Sequence, residues 1–285
     1  MSVEHVRVQE YLDFAINLAK EAGAIIKAAV DSRMAGTGSN IELKKENPTD
    51  LVTETDKAVE EFIKERLSRT YLNTKTFASG AKTEFTHEPT WIVDPIDGTT
   101  NFIHGYPFVA ALSLTLSSMN STSAAKGKGA YLNQTQRLPL FNPPQPLVDL
   151  SKLVIDAKIA AIHDMLQKKS DANPFAAEAH SVRTTGSAAL NLCNVAKGII
   201  DVYWEVGCWE WDVAAAIVIV AESGGLVLAG GNDKSDNEPV NIFCRKYLAI
   251  RAARDRESQI EIANQMKDLI PTIEAPRAPV PGGFE

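Results

Sequence analysis

Asp94 and Asp97 bracket Pro95 and Ile96 and run directly into Gly98, Thr99 and Thr100. Carboxylate oxygens in that arrangement suit a hard cation such as Mg2+. The following Gly-Thr-Thr offers backbone N–H groups and hydroxyls to a phosphate or an attacking water. Trp91-Ile92-Val93, just upstream, is a short apolar run of strand character, so both carboxylates should emerge where a buried strand breaks into a turn. Taken alone, Asp-Pro-x-Asp-Gly is equally the composition of an acidic surface turn.

Three more blocks follow in fixed order. Gly186-Ser187-Ala188 opens an apolar helical pattern running to Cys193, and Gly198 to Glu205 reads G-I-I-D-V-Y-W-E. Trp209-Glu210-Trp211-Asp212 precedes a long apolar run that closes on Glu222-Ser223-Gly224-Gly225. With Asn47-Pro48-Thr49-Asp50-Leu51-Val52-Thr53-Glu54-Thr55-Asp56 upstream, the set resembles the inositol monophosphatase family and is similar to its fungal members, including those associated with quinate utilisation. The similarity runs from about Tyr11 to Ala253, and D-P-I-D-G-T-T-N-F with W-D-V-A-A is a specific pair.

That resemblance implies a layered α-β-α-β-α sandwich and a Mg2+-dependent, lithium-sensitive phosphatase acting on inositol monophosphates or a related small polyol phosphate. It implies metal ligation by Asp94, Asp97 and Asp212, with the main-chain carbonyl of Ile96. Thr99 would orient the nucleophilic water, and Asp56 would stand behind it. The backbone of Gly98 and Thr99 would meet the phosphate. Asp97, Asp212, Glu205 and the Gly186-Ser187-Ala188 backbone would meet the polyol hydroxyls. The residues themselves leave plainer roles open. Asp50 and Asp56 can be turn or N-cap residues, Glu205 a solvated strand end, and Asp212 an N-cap, a role compatible with metal binding. Lys44 and Lys45 fit a solvated face.

Two departures from the family pattern set further expectations. The Gly-Glu-Glu motif that normally precedes Asp-Pro-x-Asp is missing. Tyr71 to Lys82 reads as the end of a helix passing straight into a loop, with Glu84 and Glu88 as the nearest acids. Loss of that glutamate predicts a weaker metal site and a slower reaction, or a catalytically silent relative with a regulatory or binding role. Between Leu112 and Leu132 the chain carries the polar bridge Ser117 to Gly127 where members have a strand, which predicts an excised strand. Lys152 to Lys169 reads as helical.

The elements that must position these residues follow from periodicity. Helices are expected over 11–32, 56–69, 187–197 and 211–223, and strands over 90–93, 109–115, 200–203 and 247–251. Residues 1–273 are expected to form one domain, and 274–285, rich in Pro and Gly, a disordered tail. A net charge of −7 argues against a nucleic-acid backbone as partner. No segment reads as a membrane span or a cleavable signal. Cys193, Cys208 and Cys244 lack metal-ligand spacing and fit buried reduced thiols in the cytoplasm. A possible homodimer is carried by the resemblance. Within the wider superfamily, a nucleotide or sugar bisphosphate phosphatase is the other enzymatic reading.

Overall fold

In the computed structural model, residues 3–35, 41–43, 51–72, 74–78, 88–106, 108–111, 114–115, 120–144, 146–147, 153–157, 180–233 and 240–276 are described. The chain opens on α1 (Val3–Met34), passes through the antiparallel pair β1 (Ile41–Leu43) and β2 (Leu51–Thr53), and enters α2 (Glu54–Thr70). Strands β3 (Lys75–Ala78) and β4 (Thr90–Val93) pair in parallel and lead to α3 (Thr99–His104). An antiparallel meander follows: β5 (Ala110–Ala111), β6 (Leu114–Thr115), β7 (Asn120–Ala125), β8 (Gly129–Leu132) and β9 (Gln136–Arg137). The remaining elements are β10 (Val154–Ala157), β11 (Ser181–Arg183), α4 (Ala188–Lys197), β12 (Val202–Val206), α5 (Glu210–Glu222), β13 (Leu226–Ala229), β14 (Lys246–Ile250) and α6 (Arg256–Leu269). Their strands form a second sheet in the order β11-β10-β12-β14-β13, parallel on the β10 side and antiparallel from β12 onward.

Alternation along β12 divides the core. Val202, Trp204 and Val206 pack beneath α6 with Ile262, Met266 and Leu269. Tyr203 points to the opposite face, against Leu192 and Cys193 of α4 and Val213, Ala216 and Val220 of α5. That cluster also takes Ala130 and Leu138 from the meander side. Leu18, Ala22 and Ile26 of α1 meet Val59, Ile63 and Leu67 of α2, with Val93 and Phe102 beside them, and α1 lies on β7. The layers therefore run helix pair, meander, helix pair, sheet, helix, which is the α-β-α-β-α sandwich. Along β12, β13 and β14 almost every residue is buried, so both faces of the second sheet need cover, which the apolar stripes of the helices supply.

A buried ion pair ties the three inner strands of the second sheet together at one end. Arg251 Nε donates to Asp201 Oδ1 at 2.5 Å, and Asp201 Oδ2 accepts from the Val154 backbone at 2.6 Å. The two side chains are 5% and 14% exposed. Asp201→Ala would leave a buried guanidinium uncompensated and is expected to cost about 3–5 kcal/mol. The urea midpoint should fall accordingly, without a change in the slope of the transition.

Several expectations need correction. The polar bridge expected over 117–127 is in part a strand: Asn120–Ala125 is β7, bonded to β6 on one side and β8 on the other. Small Ser, Thr and Ala side chains make a flat strand that fits between α1 and α5, so polar composition hid it. The single strand expected over 109–115 is two short ones, β5 and β6, paired with each other. Lys75–Ala78, read as leading into a loop, is a strand beside β4. The helix expected from Lys152 to Lys169 begins instead with β10, between β11 and β12, and 158–169 lie outside the described residues. Helix α6, with Asp255 accepting from the Ser258 backbone at 2.9 Å as its N-cap, was not anticipated. Cys193 is buried, but Cys208 and Cys244 are only half-buried, and none is in a disulfide. Asp50, Lys44, Lys45, Glu84 and the tail beyond 276 lie outside the described residues. Among those described, no helix is long and apolar enough to cross a membrane.

Candidate active site

The end of β4 and the start of α5 bring Asp94, Asp97 and Asp212 together, with one carboxylate oxygen of each within 4.8 Å of the others. Pro95 and Ile96 are buried between the two aspartates of the turn. Asp94 accepts from the Ile96 backbone at 3.2 Å, and Asp97 N–H and C=O pair with Ala110 at 2.8 and 3.0 Å. Asp212 both caps and faces the site: its Oδ2 accepts from the Trp209 backbone at 2.6 Å. The cap therefore coexists in one side chain with a place in the carboxylate cluster.

Three carboxylates gathered in an enclosed place repel one another and lose hydration. Burial, then the charges of Asp212 and Asp97, push Asp94 well above the usual carboxylate range. Burial also raises Asp97, against the hydrogen bonds from Ser187 and Ala189 that lower it. Asp212 is raised by burial and then by Asp97. Such a cluster is costly without positive charge, and its hard oxygen donors fit a divalent cation.

Gly98 follows at φ +84°, and a Cβ there would stand 2.8 Å from the Phe108 carbonyl. Only glycine meets both conditions, and as the N-cap of α3 it places no side chain over the first-turn N–H groups. Thr99 Oγ1 lies 3.1 Å from the Ile96 carbonyl and 3.4 Å from Asp56 Oδ1 in the first turn of α2.

Beyond the carboxylates, Gly186-Ser187-Ala188 leads into α4. Ser187 does more than its backbone suggested, because its hydroxyl donates to Asp97 Oδ2 while also capping Leu190 N at 3.2 Å. The Ala189 backbone donates to the same Asp97 oxygen at 2.8 Å. Glu205 is not a solvated strand end: Tyr203 OH donates to its Oε2 at 2.8 Å and Val206 N to its Oε1 at 2.8 Å. Its charge reaches Asp97 and Asp212.

Sequence reasoning missed Asp156. It pairs with Tyr203 across β10 and β12, is 2% exposed, and its Oδ2 has no hydrogen-bond partner among the described residues. Burial, then the charge of Glu205, raises it from 3.8 to about 7. An aspartate amid Val154, Ile155 and Ala157 was the available signal. Between 3.8 and about 7 the folded state holds a proton that the unfolded state has released. Stability therefore falls as pH rises through that window. Asp156→Asn should flatten the dependence of the urea midpoint on pH, by at most roughly 1.4 kcal/mol per pH unit.

Glu88, one of the acids nearest the missing motif, is exposed and pairs with Lys75 at 3.2 Å.

The inositol monophosphatase family model matches residues 7–262. The chain is 33% identical over 300 residues to protein qutG of Emericella nidulans, covering 90% of each chain. It is 37% identical to inositol monophosphatase 2 of Saccharomyces cerevisiae, covering 77% of this chain and 82% of that one. Among solved structures, the extragenic suppressor protein suhB of Bartonella henselae superposes with a TM-score of 0.70 at 24% identity, over 92% of this chain and 100% of that one, a likeness of fold.

Proposed function

The chain belongs to the inositol monophosphatase family, and from that premise we propose that this phosphomonoester hydrolase depends on Mg2+ and acts on inositol monophosphate or a related small polyol phosphate. The observation that carries the reading is the meeting of Asp94, Asp97 and Asp212 within 4.8 Å. The Thr99–Asp56 contact stands beside it, and the charge of Asp56 reaches Asp94. The similarity to yeast inositol monophosphatase 2 supports the substrate class.

Asp94, Asp97, Asp212 and the Ile96 carbonyl would hold the ion. When bound, Mg2+ supplies positive charge to the phosphoryl oxygens and makes a nearby water more acidic. Thr99 directs its hydroxyl proton toward Asp56 and the Ile96 carbonyl, which leaves lone pairs to orient the attacking water. Asp56 is the acceptor for the proton that this relay releases. Backbone N–H groups of Gly98 and Thr99 donate to the phosphate. Glu205, Asp97 and Asp212 accept from polyol hydroxyls, and the backbone of Gly186, Ser187 and Ala188 supplies the complementary donors and acceptors. Three cysteines outside any disulfide are compatible with the cytoplasm.

The reading is tested by phosphate release from a panel of inositol monophosphates, glycerol phosphate, fructose 1,6-bisphosphate and adenosine bisphosphates, with and without Li+. Preferential, lithium-inhibited turnover of inositol monophosphates is expected. Preference for a bisphosphate would move the chain to the other branch of the superfamily. Absence of the Gly-Glu-Glu motif favours one competing reading, a silent relative that binds phosphate without turning it over.

A further inference from the structure

Asn101 belongs to the Asp-Gly-Thr-Thr-Asn run, yet neither the ion nor the water-activating groups use it. Its side-chain nitrogen donates to the Phe108 carbonyl at 2.7 Å and to the Thr185 carbonyl at 2.7 Å. Two carbonyls facing one atom require a nitrogen there, so the orientation of the amide follows from its surroundings.

The amide sits between the two glycines of the site. A Cβ on Gly186 would stand 3.0 Å from Asn101 Oδ1, and one on Gly98 would stand 3.5 Å from Asn101 Nδ2. One side chain thus touches the turn expected to hold phosphate and the loop expected to hold the polyol. Thr185 is fixed again through its hydroxyl, which donates to Asn191 Oδ1 of α4 at 2.5 Å. Its N–H bonds the Asp156 carboxylate. The segment entering Gly186 is therefore held at three points, of which Asn101 comes from the phosphate side, where it adds to the bonds from Ser187 and Ala189 to Asp97 in tying the loop to the turn.

We propose that Asn101 is a positioning residue that, beside the Ser187 and Ala189 bonds to Asp97, sets the distance between the phosphate turn at 97–99 and the polyol loop at 185–188, and so contributes to selection of polyol phosphates over simple phosphate esters. The proposal rests on the function given above. Phosphate and ring hydroxyls of one rigid substrate must be met at a fixed separation, whereas an ester without ring hydroxyls makes no demand on the second loop. Replacing the amide by a carboxylate turns two attractions into two repulsions, and replacing it by a methyl leaves both carbonyls unpaired.

The test compares wild type, Asn101→Asp and Asn101→Ala on inositol 1-phosphate and on 4-nitrophenyl phosphate. It is combined with hydrogen exchange of residues 185–191 in the folded, substrate-free proteins. For both variants kcat/KM on inositol 1-phosphate should drop on the order of 10- to 100-fold, mostly through KM. Turnover of 4-nitrophenyl phosphate should change much less, and exchange protection at 185–191 should fall. An equal loss on both substrates would show a general structural role and overturn the proposal, as would unchanged protection. If wild type hydrolyses neither compound, the assigned function fails on its own. In that case the exchange data still decide whether Asn101 couples the loops: lost protection supports the coupling and retained protection overturns it.

Discussion

Asp94→Asn is expected to reduce phosphate release by at least about three orders of magnitude while making the metal-free protein more stable. The two effects have one cause. Asp94 is enclosed with Asp97 and Asp212, and burial with their like charges pushes its carboxyl well above the usual range. In metal-free protein, folding carries the wild-type carboxyl into a place where burial and the neighbouring carboxylates oppose its charge, a cost that an amide of the same shape avoids. The amide keeps an oxygen for the Ile96 N–H bond seen at 3.2 Å. Because the folded-state pKa is raised, the advantage of the variant grows as pH rises above the usual carboxylate range. Saturating Mg2+ should reverse the order, since only wild type gains fully from binding. Loss of one ligand removes several kcal/mol of charge stabilisation at about 1.4 kcal/mol per tenfold in rate. Urea midpoints in chelator and in Mg2+, alongside kcat/KM, check both halves. Reduced stability of the metal-free variant would contradict the view of the site as an uncompensated acidic cluster.

Thr99→Ala should lower kcat by about two to three orders of magnitude, within the range for a lost proton-transfer partner, with little change in the Mg2+ concentration needed for activation. Thr99→Ser should retain most of the rate. The hydroxyl reaches the Ile96 carbonyl at 3.1 Å and Asp56 at 3.4 Å, and a serine hydroxyl can take the same direction. The split between kcat and metal activation separates an orienting role from a ligand role. A Thr99→Ala variant that requires far more Mg2+ would place Thr99 among the ligands instead.

Much of this site was readable because its chemistry is local. Asp94, Asp97, Gly98 and Thr99 lie within one turn, so their spacing alone announces a carboxylate pair beside hydroxyl and backbone donors. The arrival of Asp212 from the start of α5 and of Asp56 from the start of α2 depends on tertiary packing, so in the sequence only the family likeness points to them. Asp156 escaped because its significance is created by burial and by Glu205 across the neighbouring strand, neither of which is written in spacing. Ser187 was assigned through its backbone, yet its hydroxyl bonds Asp97 from 90 residues away.

The fold divided in the same way. Helices with apolar stripes, such as Glu54–Thr70 and Ala188–Lys197, stood close to their expected limits. Strand β7 did not, because Asn-Ser-Thr-Ser-Ala-Ala carries neither branched nor aromatic side chains and owes its conformation to partners on both edges. Arg256–Leu269 carries an apolar stripe as well, which covers the second sheet with Ile262, Met266 and Leu269 facing Trp204 and Leu248.

A Mg2+ titration of inositol 1-phosphate hydrolysis by the folded, chelator-stripped chain is the most direct test of the acidic cluster as a catalytic metal site. No phosphate release is expected without metal, and a saturable rise is expected with Mg2+ that Asp94→Asn abolishes. A folded sample that binds Mg2+ and inorganic phosphate but releases none from the ester at any Mg2+ concentration would contradict that role of the cluster and identify a catalytically silent member of the family.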